Sequence, residues 1–586
     1  MRDEGFREAL AELYRHEVFR PREGLDYRQR CALTYDRLRV LGQRLPPGSA
    51  LLRDPARLHT ALEWAAVADP PLFLALTLHV CLSLGAIVEF GGERAAYHVR
   101  ELDRMASFGA LLVTEAGRGN SHLGIRTEAE YDPASGQFAL RTPDEAARKF
   151  MPNVALPGVP KTGVVYARLL AGGRDHGVFP FVAPIRTADG LPEGVRVTAL
   201  PEAPLLPLDY ALIEFDGLRL PRTALLADDA RFDADGGLVD PLGDPARRLR
   251  RSLAVRHDAW VASAAALAAV ARASAVNAVR HARERVTVSP FTAERAVLDH
   301  RAHQRPLFGA LAACHALTRL VDRVKATRGR PAGDRPPETD TAWAPGPGLD
   351  RTCGLVKAVA SRVAERVATE CGLRCGAHGM FTPGRWVEYR GLAHMLGPAA
   401  GDGYLIVLEA ARGMAAGEHY APPPPDDDED SGDLLDPAVW LRLSRARERL
   451  LHERLVARPA GRDGFEGWND RSLPGREFVD AHVERLMLEA VLAPPTDALP
   501  AAAVDLTRAL SALHALHHVV RHSGFHLRAG LLTPDQAGRL DAFDNGLCDR
   551  VAAGLDQLPA VLDVPAELLA HPSPVALPPP AGRSRR

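Results

Sequence analysis

FGALLVTEAGRGNSHLGIRTEAEYDPASGQFALRTPDEAARKFMPN, residues 108–153, holds the point where helical spacing gives way to strands. Before it, apolar positions in FREALAELYRHEVF (6–19) and TALEWAAV (60–67) recur at three and four, punctuated by Pro46, Pro47, Pro70 and Pro71, as amphipathic helices require. From about residue 111, short apolar or alternating runs stand between Gly, Pro and Asp turns: GQFALRTP, VVYARLLA, VFPFVAPI, VRVTAL and YALIEFDGLRLP. Such runs predict an antiparallel β-domain. Helical spacing returns near Asp244, in PARRLRRSLAVRHDAWVASAAALAAVARASAVNAVRHARERV, whose alanines favour one long, closely packed helix. Two more long helices are expected over 296–326 and 354–372, and residues 328–350 between them have the Pro, Gly and charge of an exposed loop of disordered composition.

The predicted fold class is α+β, mainly α. Its parts are an N-terminal helical domain (1–110), the β-domain (111–235), a helical bundle (244–420), a Pro/Asp-rich linker (421–437), a C-terminal helical domain (438–570) and a disordered tail (571–586). At 586 residues the chain is too long for one core, and 72 basic against 74 acidic residues leave no bulk charge with which to hold nucleic acid. Seven scattered cysteines, of which only Cys371 and Cys375 lie close together, predict reduced thiols in a cytoplasm. Cys371 and Cys375 with His378 lack the spacing and second ligand pair of a zinc knuckle, so no metal is expected. Residues 72–90 are apolar enough to raise the question of a membrane, but Thr77, His79, Ser83 and Glu89 interrupt them, and a buried helix is expected instead of a membrane span.

The order of elements and several short motifs resemble the acyl-CoA oxidases of the acyl-CoA dehydrogenase superfamily. Thr114-Glu115 followed by Gly117 and Gly119 resembles the family's Thr-Glu-x-Gly-x-Gly loop, where a threonine hydroxyl and backbone amides meet the flavin. Lys149-Phe150-Met151-Pro152 is similar to Lys-Trp-Trp-Pro, and Asn153 stands where the family carries a glycine that contacts FAD. Leu298-Asp299-His300-Arg301 to Gln304 resembles a family helix, and Cys375-Gly376-Ala377-His378-Gly379 resembles Cys-Gly-Gly-His-Gly. The resemblance implies FAD held by Thr114, Gly117, Gly119, Asn153, Arg301, Gln304, Gly376 and His378, partly across a subunit interface, hence a homodimer. Arg301 replaces a glutamine, a change a pyrophosphate tolerates because a guanidinium can hydrogen-bond its oxygens in pairs. Each motif also has a plainer reading: glycines mark turns, and a histidine such as His257 commonly sits satisfied in a core.

What the resemblance implies for chemistry is an FAD-dependent oxidoreductase of fatty acid β-oxidation. In the family a carboxylate removes the α-proton of an acyl thioester on CoA or a carrier protein, the β-hydrogen leaves to the flavin, and O2 takes the electrons. The family's glutamate position falls on Ala400 in Pro398-Ala399-Ala400-Gly401-Asp402-Gly403. An alanine accepts no proton. Candidate substitutes are His257 and Asp258, on the helix from which other members supply a base, and Asp402, two residues beyond Ala400. Glu409 lies roughly 13 Å further along a helix, out of reach. Ala400 keeps two alternatives open: a flavin-dependent oxygenase or nitrogen-oxidising enzyme of the same fold, and an inactive flavin-binding subunit paired with an active paralogue.

Overall fold

The structure, a computed structural model, describes residues 3–233, 237–329, 341–344, 346–425, 433–457, 464–494 and 499–569. Two compact units are formed, Asp3–Ala262 and the chain from Ser263 onward.

The first unit begins with helices whose starts are written in local sequence. Asp26 and Gln29 form a reciprocal capping box at Tyr27–Arg44, and Asp54 caps Pro55–Ala68 with proline in the first turn. The apolar stretch around residue 80 is a buried helix that changes winding: Pro70–Leu76 is α, Thr77–Leu84 is π, and Gly85–Gly91 is α again. Its side chains pack inward, with Leu72, Phe73, Val80, Leu84 and Ile87 all essentially inaccessible to solvent. His79 lies in the π segment, and its ring accepts the Gly109 N–H at 2.9 Å and meets the Leu102 carbonyl at 3.2 Å. Burial pushes its pKa down to about 4, so a neutral imidazole ties this helix to the first strand. Gly109 is needed at that crossing, because a Cβ there would lie 2.6 Å from the Ser83 Cβ.

Strand β1 is Phe108–Leu112, β2 Glu128–Asp132, β3 Gln137–Arg141, β4 Lys149–Asn153, β5 Lys161–Ala171, β6 Arg174–Arg186, β7 Val195–Ala199 and β8 Tyr210–Pro221. They form one sheet along the path β1-β5-β2-β3-β8-β4, with β6 on β5 and β7 on β8. The sheet is mixed, which corrects the expectation of an antiparallel domain: β1 and β2 both pair with β5 in parallel, Phe108 opposite Lys161 and Glu128 opposite Arg168. Alternation of apolar side chains reports burial and carries no strand direction; parallel partners follow from long connections, and here they enclose the segment 113–127.

The helical region after Asp244 is also broken where one helix was expected. Pro245–Ser252 is capped by Asp244 and stops, and Arg256–Glu284 follows. Alanines of this second helix are almost all fully buried, as close packing of small side chains requires. Pro70–Asp103 and Pro245–Glu284 are long and apolar enough to cross a membrane, but 78% and 100% of their apolar windows are buried inside the fold, the state of core helices.

In the second unit, a short hairpin of Val286–Ser289 and Thr292–Ala296 precedes the long helices Arg301–Arg328 and Pro347–Arg374. Residues 330–340 of the expected loop lie outside the described residues; its end is not exposed, since Trp343 is fully buried under the Arg323 guanidinium, 4.0 Å from the ring centroid. Within the expected linker, 426–432 lie outside the described residues, while Leu434 is buried and its carbonyl accepts the Trp440 indole N–H at 2.6 Å. The carboxy-terminal helices include Pro437–Val456, Ser472–Leu492 and Ala501–Arg521. The tail from 570 lies outside the described residues.

Candidate active site

The Thr-Glu-x-Gly-x-Gly motif forms the loop that leaves β1. The Thr114 carbonyl accepts the Phe150 N–H at 2.9 Å, which fastens the loop to β4, and Glu115 faces Lys149 across an isolated bridge. The Glu115 side chain is 1% exposed and is the anchor. It accepts the N–H groups of Arg126 (2.9 Å) and Thr127 (2.8 Å), the Thr127 hydroxyl (2.6 Å) and the fully buried Lys149 ammonium (3.1 Å). Burial works to raise its pKa, but Lys149 and these hydrogen bonds win and hold the carboxyl below its usual range. Burial also depresses the Lys149 pKa to about 8. Lys149 and Glu115 belonged to quoted motifs, but nothing local in the sequence tells that they pair.

The two glycines of the motif differ. Gly117 donates to the Ala146 carbonyl at 2.9 Å, and a Cβ on it would come within 2.6 Å of the Ala146 Cβ. Gly119 faces open space, and Asn120 beside it is left-handed at φ +61°. Among the described residues no hydrogen bond takes up the Gly119 and Asn120 amides or the Thr114 hydroxyl. This cradle of free donors fits the edge of a polar cofactor.

At the far end of β4, Asn153 is 1% exposed. Its carbonyl accepts from the Lys161 ammonium, its amide nitrogen lies 3.2 Å from the Tyr35 hydroxyl, and its Oδ1 has no protein partner. Tyr35 in turn donates to Asp209, which lies 3.4 Å from Lys161. This buried quartet fixes the strand end where the glycine of the family pattern has been replaced.

The remaining predicted cofactor residues lie in the second unit. Gly376 is left-handed at φ +59°, and Gly379 passes so close to Gly372 that a Cβ would lie 2.2 Å from its carbonyl oxygen. The half-buried His378 ring stands 5.0 Å from that of His281. Gln304 is half-buried in the first turn of Arg301–Arg328. Arg301, expected to face a pyrophosphate, is partly exposed and pairs with Asp549 at 2.5 Å and with the Asn545 carbonyl at 3.3 Å.

Around the missing base the loop is held from behind. The buried Lys357 ammonium donates to the carbonyls of Gly397 (3.2 Å), Ala399 (2.6 Å) and Gly401 (2.7 Å), and burial lowers its pKa to about 8. Ala400 is thereby fixed at φ +54° and Gly401 at φ +87°. Asp402 is the N-cap of Gly403–Ala415 and accepts the N–H groups of Tyr404 (2.8 Å) and Leu405 (3.3 Å), so its carboxylate is already engaged. In the first unit His257 is half-buried with its ring 5.2 Å from that of Trp260, and Asp258 is exposed.

A human protein named peroxisomal acyl-coenzyme A oxidase 3 is 26% identical over 561 residues, 88% of this chain and 78% of that protein. The chain is similar to the acyl-CoA oxidases over most of its length. Acyl-coenzyme A oxidase 3, peroxisomal, of Arabidopsis thaliana is 26% identical over 362 residues, 61% of this chain and 52% of that protein, so the match spans about half of the plant protein. No family model matches the chain. Its fold is that of acyl-CoA oxidase 1 from Yarrowia lipolytica, with a TM-score of 0.81 at 20% identity over 96% of this chain and 86% of that one. Acyl-CoA oxidase-1 of Caenorhabditis elegans, solved with FAD and ATP, matches with a TM-score of 0.79 at 19% identity over 97% and 88%.

Proposed function

We propose that the protein is an FAD-dependent acyl-CoA oxidase-type oxidoreductase that desaturates an acyl thioester between Cα and Cβ, with O2 as electron acceptor, and that it works as a homodimer. The observation that carries the reading is the Thr114–Asn120 cradle, whose hydroxyl and two amides stay free while Glu115 and Lys149 lock its base. Thr114, Gly119 and Asn120 would hold the cofactor's polar edge. Bound FAD supplies the hydride acceptor for the β-hydrogen and the route of the electrons to dioxygen. Arg301, paired with Asp549, is not assigned to the pyrophosphate.

The chain's own part is to remove the α-proton, and here Ala400 contributes nothing. Asp402 is engaged in its cap, so His257 is the assigned base: an imidazole accepts a proton near neutral pH without tuning, and it is half-buried. A general base contributes about 10²–10⁴ in rate. His257→Ala should therefore lower desaturation about 100-fold or more, and Ala400→Glu should raise it by a similar factor. No loss in the first and no gain in the second would discard the assignment. The direct test is to mix purified protein with acyl-CoAs of different chain length without oxygen and follow the flavin band near 450 nm, a property of the oxidised cofactor. Bleaching supports the reading; bound flavin that never bleaches points to an oxygenase or a partner subunit, and absent flavin overturns it.

All seven cysteines are buried thiols outside any disulfide, which suits a reducing compartment. We retain the cytoplasm as the proposal; the relatives named peroxisomal make the peroxisome the alternative, and fractionation against markers of both decides.

A further inference from the structure

We propose that Glu484, His518 and His522 form a binding site for a zinc-class divalent cation among the carboxy-terminal helices. Glu484 projects from Ser472–Leu492, while His518 lies in the last turn of Ala501–Arg521 and His522 is the residue that caps it. Spacing of four residues puts the two imidazoles on one face of the helix, and the His518 and His522 Nε2 atoms lie 3.3 and 3.1 Å from the same Glu484 oxygen. The ligand atoms all fall within 4.8 Å of one another, so a single ion can reach the three together. Two imidazoles and a carboxylate are the donor set borderline divalent metals prefer, and three protein ligands leave a coordination position open.

A second observation points the same way. His526, a further four residues on, is fully buried, and among the described residues neither of its ring nitrogens has a hydrogen-bond partner. An orphaned buried imidazole is costly; a bound ion, or water on its open position, gives it a partner. Access is available, since the Glu484 and His522 side chains are 24% and 16% exposed.

Two guanidiniums already meet the carboxylate: Arg447 at 2.8 Å, on the oxygen the histidines share, and Arg521 at 3.4 Å on the other. Arg521 is half-exposed and solvated, whereas Arg447 is buried and competes directly with a metal for that oxygen. Without metal Arg447 neutralises Glu484; with metal it is displaced. This competition gives the proposal an unusual sign: removing a cation should improve cation binding.

The test uses the full chain, stripped with a chelator and titrated with Zn²⁺ against a chromogenic competitor. One equivalent is expected, bound at least tenfold more weakly by Glu484→Gln and His522→Gln, about tenfold more tightly by Arg447→Gln, and unchanged in His394→Gln, whose ring is exposed and paired elsewhere with Glu365. Zinc binding by wild type no tighter than by Glu484→Gln and His522→Gln overturns the proposal. Should both variants fail to fold, zinc protection of His518 and His522 from diethyl pyrocarbonate, read by peptide mass on the wild type, decides instead; absence of protection overturns it.

Discussion

Glu115 and Glu484 are both carboxylates gathering donors from distant segments, yet they are built differently. Glu115, 1% exposed, takes two main-chain amides, a hydroxyl and a buried lysine, and the main-chain donors cannot leave without shifting the segment that leads into β2. Among the described residues Glu484, 24% exposed, is met by side chains of Arg447, His518, Arg521 and His522 and by no main-chain donor, and Arg521 and His522 can turn toward solvent. Main-chain donors make a carboxylate a fixed post, suited to shaping a cofactor loop. Side-chain donors make one that can exchange partners.

Breaking the first hub should have the largest effect. Glu115→Gln leaves the fully buried Lys149 charge without its counterion, and removing one partner of a buried pair costs about 3–5 kcal/mol. Melting should fall accordingly and FAD should wash out on dialysis. Adding Lys149→Met should restore most of the stability; if the double variant is no better than Glu115→Gln, the pair does not lock the loop.

A third carboxylate, Glu448, sharpens the contrast through pH. Burial acts to raise its pKa, but His482 at 2.9 Å and Arg485 at 2.5 Å outweigh it and bring it down to about 2. Its folded pKa lies below the unfolded value, so its contribution of about 3 kcal/mol is present at neutral pH and is lost as pH falls from about 5 toward 2. Melting temperatures of Glu448→Gln should start lower than wild type and lose less across that window. Parallel acid limbs would remove Glu448 from the account.

The smallest effect is expected at the exchangeable hub. Glu484→Gln keeps an oxygen for Arg447 and lets Arg521 and His522 turn to water, at about 1–3 kcal/mol. A loss as large as that of Glu115→Gln would end the distinction between fixed and exchangeable donors; thermal melts side by side read it directly.

Much of this architecture was legible in sequence because it is locally encoded. The switch near residue 111 from three-and-four spacing to short runs marks a sheet whose first strand starts at Phe108, and the glycine loop sits where its motif puts it. The parallel pairing of β1 and β2 with β5 was not legible, since a period of two is identical in both directions. Nor was the pairing of Arg301 with Asp549, which no window of sequence connects to it. Asp402 could have been recognised as a cap: an aspartate before an apolar run such as GYLIVL is an N-cap signature, and capping commits one of its carboxylate oxygens. His518 and His522 show the spacing of paired ligands, but Glu484 lies 34 residues from His518, and only the packing of two helices supplies it.

The grip of Lys357 on the carbonyls of Gly397, Ala399 and Gly401 has a consequence for how this corner can change. The path of the main chain is set largely by one ammonium behind it, with the Asp402 cap holding its exit. An acid placed at Ala400 would leave those carbonyl contacts beneath it in place, so the chemistry displayed at this corner is open to change by one substitution without dismantling its scaffold.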